Sequence, residues 1–127
     1  MNKKILAIDD EVDTLTFYTE VLDDYDFDPI TAKNGVEGLQ KAREEKPDLI
    51  ILDIMMPKKG GVKTYKELKD DPELSDIPVI IITGISKEVD FKSLLDRSST
   101  NKIPPNGHLV KPLTANDLIR EIREVLD

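Results

Sequence analysis

Two continuous apolar runs, each shortly after a proline, most constrain what this chain can fold into. They read LIILD at Leu49–Asp53 and VIIIT at Val79–Thr83. A strand with one face in water alternates apolar and polar residues, whereas a strand covered on both faces is apolar throughout. Both runs therefore predict buried strands of a parallel sheet that has helices on each face.

Three weaker segments complete a predicted set of five strands. KILAID occupies residues 4–9, FDPIT residues 27–31 and HLV residues 108–110. Pro29 lies inside the second of these, and proline cannot donate a backbone hydrogen bond. This strand is therefore predicted at an edge of the sheet.

Helical patterns occupy the intervals between the strands. Apolar residues recur at helical spacing in three of them, and a fourth stripe follows Thr114 and Asp117, a pair typical of a helix start. Residues 87–98 carry a less regular helical pattern. The residues of the four clear stripes are Val12, Leu15, Tyr18 and Leu22, then Val36, Leu39 and Ala42, then Val62, Tyr65 and Leu68, and finally Leu118, Ile119, Ile122, Val125 and Leu126.

Strands that alternate with helices predict an α/β fold. We expect a doubly wound, five-stranded parallel sheet with five helices, in a single domain that spans residues 1–127. In such an open sheet, ligands bind beyond the carboxyl ends of the strands. The residues that end each strand are therefore the candidates for function.

The predicted strand ends carry polar side chains. The first strand ends in Asp9 and Asp10, the third in Asp53, the fourth in Thr83, and the fifth runs into Lys111. Carboxylates attract a hard divalent cation, and Mg²⁺ fits better than calcium because few protein ligands are present. A lysine and a hydroxyl opposite the metal suit a phosphoryl group. Taken alone, Asp9 and Asp10 could instead start a helix, where acids complement the helix dipole.

Composition excludes several other classes of function. The chain has no cysteine and one histidine, which leaves oxygen atoms as the ligands for any metal. A net charge of −8 argues against direct nucleic-acid binding. No apolar run approaches the roughly 20 residues of a membrane span, and the segment after Lys3 and Lys4 is too short for a signal peptide. We expect a cytoplasmic protein that neither crosses a membrane nor binds nucleic acid.

Four motifs at the strand ends resemble those of the receiver domain of two-component response regulators. They are IDDE at residues 8–11, LDIMMPKKGG at 52–61, IIITG at 80–84 and HLVKP at 108–112, and the resemblance covers nearly the whole chain. It implies the strand order 2-1-3-4-5 in a flavodoxin-like three-layer sandwich. In that order the first and third strands are neighbours, which would bring their three aspartates into one acidic pocket.

The resemblance also implies how the acids act. Asp53 would accept a phosphoryl group from a phosphohistidine of a sensor histidine kinase or histidine phosphotransfer protein. Asp10, Asp53 and the backbone carbonyl of Met55 would bind Mg²⁺ directly, and Asp9 through a water molecule. The implied protein is a signalling switch and not a metabolic enzyme.

Further roles follow from the same resemblance. Lys111 would pair with one phosphoryl oxygen and Thr83 would hydrogen-bond another. A cis bond between Lys111 and Pro112 would aim the lysine inward. A downstream effector protein would contact the face formed by the fourth helix, the fifth strand and the fifth helix.

Two features of the chain depart from the family pattern, and two glycines need an explanation. His108 stands where the family often carries an aromatic residue that swings inward, so it is either the switch residue or a partly exposed strand residue. Residues 97–107 are longer than the corresponding family segment, and form either a tolerated surface loop or an altered interface. Gly60 and Gly61 are predicted to supply turn conformations.

Two other classes of function compete with the phosphorylated switch. A metal-dependent phosphohydrolase would also use Asp53 as nucleophile, but it normally needs an acid two positions later, where this chain has Met55. A receiver-like binding module that is never phosphorylated would have lost the acceptor, a metal-binding acid or the lysine. None of these is lost in this sequence.

Overall fold

Five parallel strands form a single sheet in the computed structural model, which describes residues 2–54, 60–83 and 105–127. They are β1 (Lys4–Ile8), β2 (Asp28–Ala32), β3 (Leu49–Asp53), β4 (Val79–Thr83) and β5 (Gly107–Val110). Their spatial order is β2-β1-β3-β4-β5, as the resemblance implied. Pro29 lies in β2, which is an edge strand as predicted.

Four helices lie in the part of the chain that the structure describes. They are α1 (Val12–Asp24), α2 (Gly35–Glu45), α3 (Gly61–Asp70) and α4 (Ala115–Leu126). The helix predicted over residues 87–98 and most of the segment 97–107 lie outside the described residues, so α4 is the fifth helix of the predicted order. No described helix is both long enough and apolar enough to cross a membrane.

The central strands are buried on both faces, which explains why β3 and β4 are apolar up to their last residue. Alternate strand residues belong to two separate cores, one shared with α2 and α3 and the other with α1 and α4. Leu6 and Ile8 enter the first core, whereas Ile5 and Ala7 enter the second. Full burial of each such aliphatic side chain contributes roughly 1.5–3 kcal/mol to the stability of the fold. The packed sheet therefore holds the residues at the ends of its strands in fixed positions.

Local hydrogen bonds define where two of the helices begin. The hydroxyl of Thr114 accepts from the backbone N–H of Asp117 at 3.1 Å, and the Asp117 carboxylate accepts from the backbone N–H of Thr114 at 3.0 Å. This reciprocal capping box confirms the predicted start of α4. Asn34 caps α2 in a similar way, since its side chain accepts from the backbone N–H of Glu37 at 2.8 Å.

Two valines of the predicted apolar stripes are not buried. Val12 is 66% exposed and Val36 is 63% exposed, although both lie in the spacing that indicated a buried face. Each lies in the first turn of its helix, at the end of the sheet where the preceding strand has already stopped. The helical period was correct, but these turns have no strand beneath them.

Candidate functional site

The polar residues predicted to end the strands do meet at one edge of the sheet. Asp53 ends β3 and Thr83 ends β4, while Asp9 and Lys111 directly follow β1 and β5. The backbone ladder continues through these positions, because Asp9 N donates to Ala32 O at 3.1 Å and Lys111 N donates to Thr83 O at 2.8 Å. The side chains are therefore held by the sheet itself and not by free loops.

Three aspartates form an acidic cluster at this edge. Carboxylate oxygens of Asp9, Asp10 and Asp53 all lie within 4.8 Å of one another. Asp9 and Asp53 are buried, with 0% and 4% exposure, whereas Asp10 is exposed. The cluster is thus closed on the side of the core and open to solvent through Asp10.

Lys111 brings one positive charge to the cluster. Its Nζ atom lies 3.1 Å from Oδ2 of Asp9 and 3.6 Å from Oδ2 of Asp53. Burial alone would lower the pKa of Lys111, but the charge of Asp53 and the hydrogen bond to Asp9 outweigh it and raise the pKa above its ordinary value. The lysine is therefore protonated at neutral pH. The Lys111–Pro112 bond is cis, as the resemblance implied.

Both carboxylate oxygens of Asp9 accept hydrogen bonds. While Oδ2 accepts from Lys111, Oδ1 accepts from the backbone N–H of Glu11 at 2.9 Å. Glu11 itself stands at the N-cap position of α1, with an exposed side chain that lies outside the cluster of three acids. Only two of the three consecutive acids at residues 9–11 therefore belong to the site.

The hydroxyl of Thr83 lies next to the only histidine of the chain. Thr83 is buried, and its Oγ1 atom is 3.5 Å from Nε2 of His108 on the neighbouring strand. His108 is exposed, and so is Val110, which alternates with it along β5. The imidazole of His108 therefore connects the buried hydroxyl of Thr83 to the exposed surface of β5.

Neither of the two glycines after β3 has a positive φ angle, and Gly61 lies in the helix α3 instead of in the predicted turn. Gly61 is required by packing instead. A Cβ atom at this position would overlap Cα of Ile54 and lie 2.5 Å from the carbonyl oxygen of Asp53, whereas a Cβ at Gly60 would meet no atom within 4 Å. The first turn of α3 thus presses directly against the backbone of Asp53.

Tyr18 was assigned by its spacing only to the apolar stripe of α1, and the structure gives it a second property. Its ring is buried, with 1% exposure, and within the described residues its hydroxyl has no hydrogen-bond partner. Burial raises the pKa of Tyr18, and the charges of Asp9, Asp53 and Glu11 raise it further. The available signal in the sequence was a single hydroxyl within an otherwise aliphatic stripe.

The donor set fits a hard divalent cation. Three carboxylates and one lysine leave the site with a net negative charge, and oxygen atoms are the ligands that Mg²⁺ prefers. The exposed side of Asp10 gives room for the water ligands that Mg²⁺ usually retains. Met55, predicted to contribute a backbone carbonyl, lies outside the described residues.

Comparison with known proteins assigns the family. The model of the response regulator receiver domain matches residues 5–123. The chain belongs to this family. Receiver domains are signalling modules, so the prediction from the four strand-end motifs is confirmed, as is the five-stranded parallel fold.

Several relatives are similar over the whole chain. The polar-differentiation response regulator DivK of Brucella anthropi is 29% identical over 126 residues, which cover 99% of this chain and 98% of DivK. Protein PilH of Pseudomonas aeruginosa is 32% identical, with 97% of each chain covered. The alkaline phosphatase synthesis transcriptional regulatory protein PhoP of Bacillus subtilis is 33% identical, but this chain spans only 49% of its length.

A solved structure with the same fold is the chemotaxis protein CheY4 of Vibrio cholerae. Its TM-score is 0.83 at 26% sequence identity, and the alignment covers 99% of this chain and 100% of that protein.

Proposed function

We propose that this receiver domain, spanning residues 1–127, is a phosphorylated signalling switch with Asp53 as its acceptor. The observation that supports this most strongly is the position of Asp53. It is buried at the carboxyl end of the central strand β3, within 3.6 Å of a lysine ammonium and beside two further carboxylates. A carboxylate so placed is available as a nucleophile in a site that stabilises added negative charge.

The transfer is a simple exchange of bonds. A carboxylate oxygen of Asp53 attacks the phosphorus of a phosphohistidine, the P–N bond breaks, and the imidazole leaves with the electron pair and takes a proton. Lys111 then pairs with one oxygen of the new acyl phosphate, and Thr83 donates its hydroxyl hydrogen to another. Positioning and charge stabilisation supply most of the catalysis in phosphoryl transfer.

The metal in this proposal is Mg²⁺. Asp10, Asp53 and the backbone carbonyl of Met55 would bind it directly, and Asp9 through a water molecule. When bound, the ion neutralises the charge that develops on the phosphoryl oxygens. The chain's own contribution is to hold the three carboxylates within 4.8 Å of one another, with Asp9 oriented by Lys111 and by the backbone of Glu11.

The partners we propose are a sensor histidine kinase or a histidine phosphotransfer protein upstream, and an effector protein downstream, all in the cytoplasm. The effector would contact β5, α4 and the helix predicted before β5. Two features support this face: Val110 exposes 47% of its surface, and His108 connects β5 to the Thr83 hydroxyl. Whether His108 acts as the switch residue is part of the test below.

A single experiment separates this function from the two alternatives. The native chain is incubated with Mg²⁺ and acetyl phosphate, and its intact mass and the released phosphate are followed over time. We expect one phosphoryl group per chain, no adduct in Asp53→Asn, and full labelling of Asp24→Asn, a matched control at the exposed far end of α1. In the labelled chain, the imidazole NMR signals of His108 should shift, since Thr83 turns toward the phosphoryl group.

Each of the other outcomes would support a different function or a different role for His108. Multiple turnovers of phosphate release without an adduct would support a phosphohydrolase. No uptake by the native chain, from acetyl phosphate or from a phosphorylated histidine phosphotransfer protein, would leave the unphosphorylated binding module. Labelling without a shift at His108 would keep the switch but assign His108 to the exposed strand surface only.

A further inference from the structure

The hydroxyl of Tyr18 is buried, and Asp9 and Asp53 are near enough to act on its ionisation. Tyr18 is in the second turn of α1, and helical side chains tilt toward the N-terminus of their helix. That terminus directly follows β1, so the phenol points toward the carboxyl edge of the sheet. In agreement, Tyr18, Lys111 and Pro112 line the same groove, whose volume is about 440 Å³.

The unpaired hydroxyl of Tyr18 lowers the stability of the unphosphorylated chain. A buried polar atom that makes no hydrogen bond loses its hydration and gains nothing in return. The hydroxyl of Tyr18 has no partner among the described residues, although Asp9, Asp53 and Glu11 are close enough to act on its ionisation. The phenol of Tyr18 is therefore a hydrogen-bond donor that is available to a nearby carboxylate oxygen whose own donor has left.

Asp9 provides the complementary acceptor. Its Oδ2 atom is occupied by Lys111 at 3.1 Å in the described state, and the residue is fully buried. Under the proposed function, a phosphoryl group on Asp53 would draw the Lys111 ammonium toward its oxygens. Oδ2 of Asp9 would then lose the Lys111 ammonium as its donor without gaining access to solvent.

We propose that Tyr18 is a positioning residue whose hydroxyl donates to Oδ2 of Asp9 once the phosphoryl group on Asp53 has drawn Lys111 away. This inference rests on the proposed function. The new bond satisfies two buried groups at once, so it stabilises the phosphorylated form and not the unphosphorylated one. It also keeps Asp9 oriented toward the metal after the lysine has moved.

Tyr65 offers a matched control. It is also 1% exposed and lies on a helix against the opposite face of the sheet. Burial raises the pKa of Tyr65 to about 12. Tyr18→Phe and Tyr65→Phe therefore remove the same atom from two buried phenols that lie on opposite faces of the sheet.

The test uses beryllium fluoride with Mg²⁺ as a mimic of the phosphoryl group on Asp53. Calorimetric titration gives the dissociation constant, and urea unfolding without ligand gives the stability. Because hydrogen bonds to charged groups are among the stronger ones, we expect Tyr18→Phe to weaken beryllium fluoride binding about tenfold. Its stability without ligand should equal or exceed that of the native chain, and its affinity for Mg²⁺ alone should stay within about twofold. Tyr65→Phe should bind beryllium fluoride like the native chain.

Three results would overturn this proposal and leave the proposed function intact. Equal binding of beryllium fluoride by Tyr18→Phe and the native chain would show that the hydroxyl makes no bond in the phosphorylated form. A loss of unligated stability together with weaker binding would assign Tyr18 a purely structural role. Weaker binding of Mg²⁺ alone by the same factor would place its effect on the metal. If the native chain binds no beryllium fluoride, the proposed function itself fails, and the role of Tyr18 fails with it.

Discussion

At the scale of single residues, Gly61 determines how closely α3 approaches Asp53. Alanine at this position would place a Cβ against the backbone of Ile54 and 2.5 Å from the carbonyl oxygen of Asp53. Backbone atoms cannot turn aside as a flexible side chain can. We therefore expect Gly61→Ala to lower the free energy of unfolding by about 2 kcal/mol and to slow phosphorylation of Asp53. Urea unfolding and labelling with acetyl phosphate measure the two effects.

Gly60→Ala is the matched control, because its Cβ would meet no atom within 4 Å. This variant should keep native stability within about 0.5 kcal/mol and a native labelling rate. Equal stability and equal labelling rates of the two variants would mean that packing against Asp53 does not explain why position 61 needs a glycine.

Residue type and strand position were enough to predict the acids, the threonine and the lysine of the site. Each lies within two positions of the end of an apolar run, so its place at the sheet edge depends on where the strand stops. Gly61 and Tyr18 were not predictable in the same way. Residue spacing does not reveal that Gly61 packs against the backbone of Ile54, or that Asp9 acts on the ionisation of Tyr18.

At the scale of elements, the capping box of α4 can be tested at its first residue. Thr114→Ala removes the hydroxyl that accepts from the backbone of Asp117. Loss of an N-cap costs about 1 kcal/mol of stability, which urea unfolding at neutral pH resolves. Thr16→Ala is the control, since Thr16 lies inside α1 with its hydroxyl bonded to the carbonyl of Val12, where no cap is lost. A cost at Thr16 equal to that at Thr114 would contradict the capping argument.

The carboxylate of Asp117, the other member of the capping box, makes the stability of the protein depend on pH. The hydrogen bond from the backbone of Thr114, followed by that from its side chain, lowers the pKa of Asp117 below 3.8. A carboxyl with a lowered folded pKa stabilises the protein above its unfolded pKa and loses that contribution as the pH falls through the folded pKa. Native chain and Asp117→Asn should therefore differ in stability at neutral pH and converge in acid. A difference that stays constant with pH would exclude the charge of Asp117 as its source.

Periodicity predicted the described helices well, since each must bury one stripe against the sheet. It failed at Val12 and Val36 because the spacing of residues does not reveal where the supporting strand ends. The strand order was likewise not contained in the pattern of strands and helices. It came from the resemblance, since several orders would bury the same apolar runs.

At the scale of the whole molecule, the fold concentrates its buried polarity at one edge. Among the described residues, three of the five buried polar or charged side chains are Asp9, Asp53 and Thr83 of the site. The central strands are otherwise buried in two largely apolar cores. Stability gained in the cores therefore offsets the repulsion among three carboxylates that one lysine neutralises only in part.

This imbalance predicts that Mg²⁺ stabilises the unphosphorylated chain. A ligand that binds only the folded state adds about 1.4 kcal/mol to the free energy of unfolding at ten times its dissociation constant. Urea unfolding with MgCl₂, against NaCl of equal ionic strength, should show this gain in the native chain and in Asp24→Asn. Asp10→Asn should show almost none of it. Without Mg²⁺, Asp10→Asn should be at least as stable as the native chain, because it relieves repulsion without removing a buried partner. A variant that is instead less stable without Mg²⁺ would mean that Asp10 supports the fold, and that the acidic edge is not under electrostatic strain.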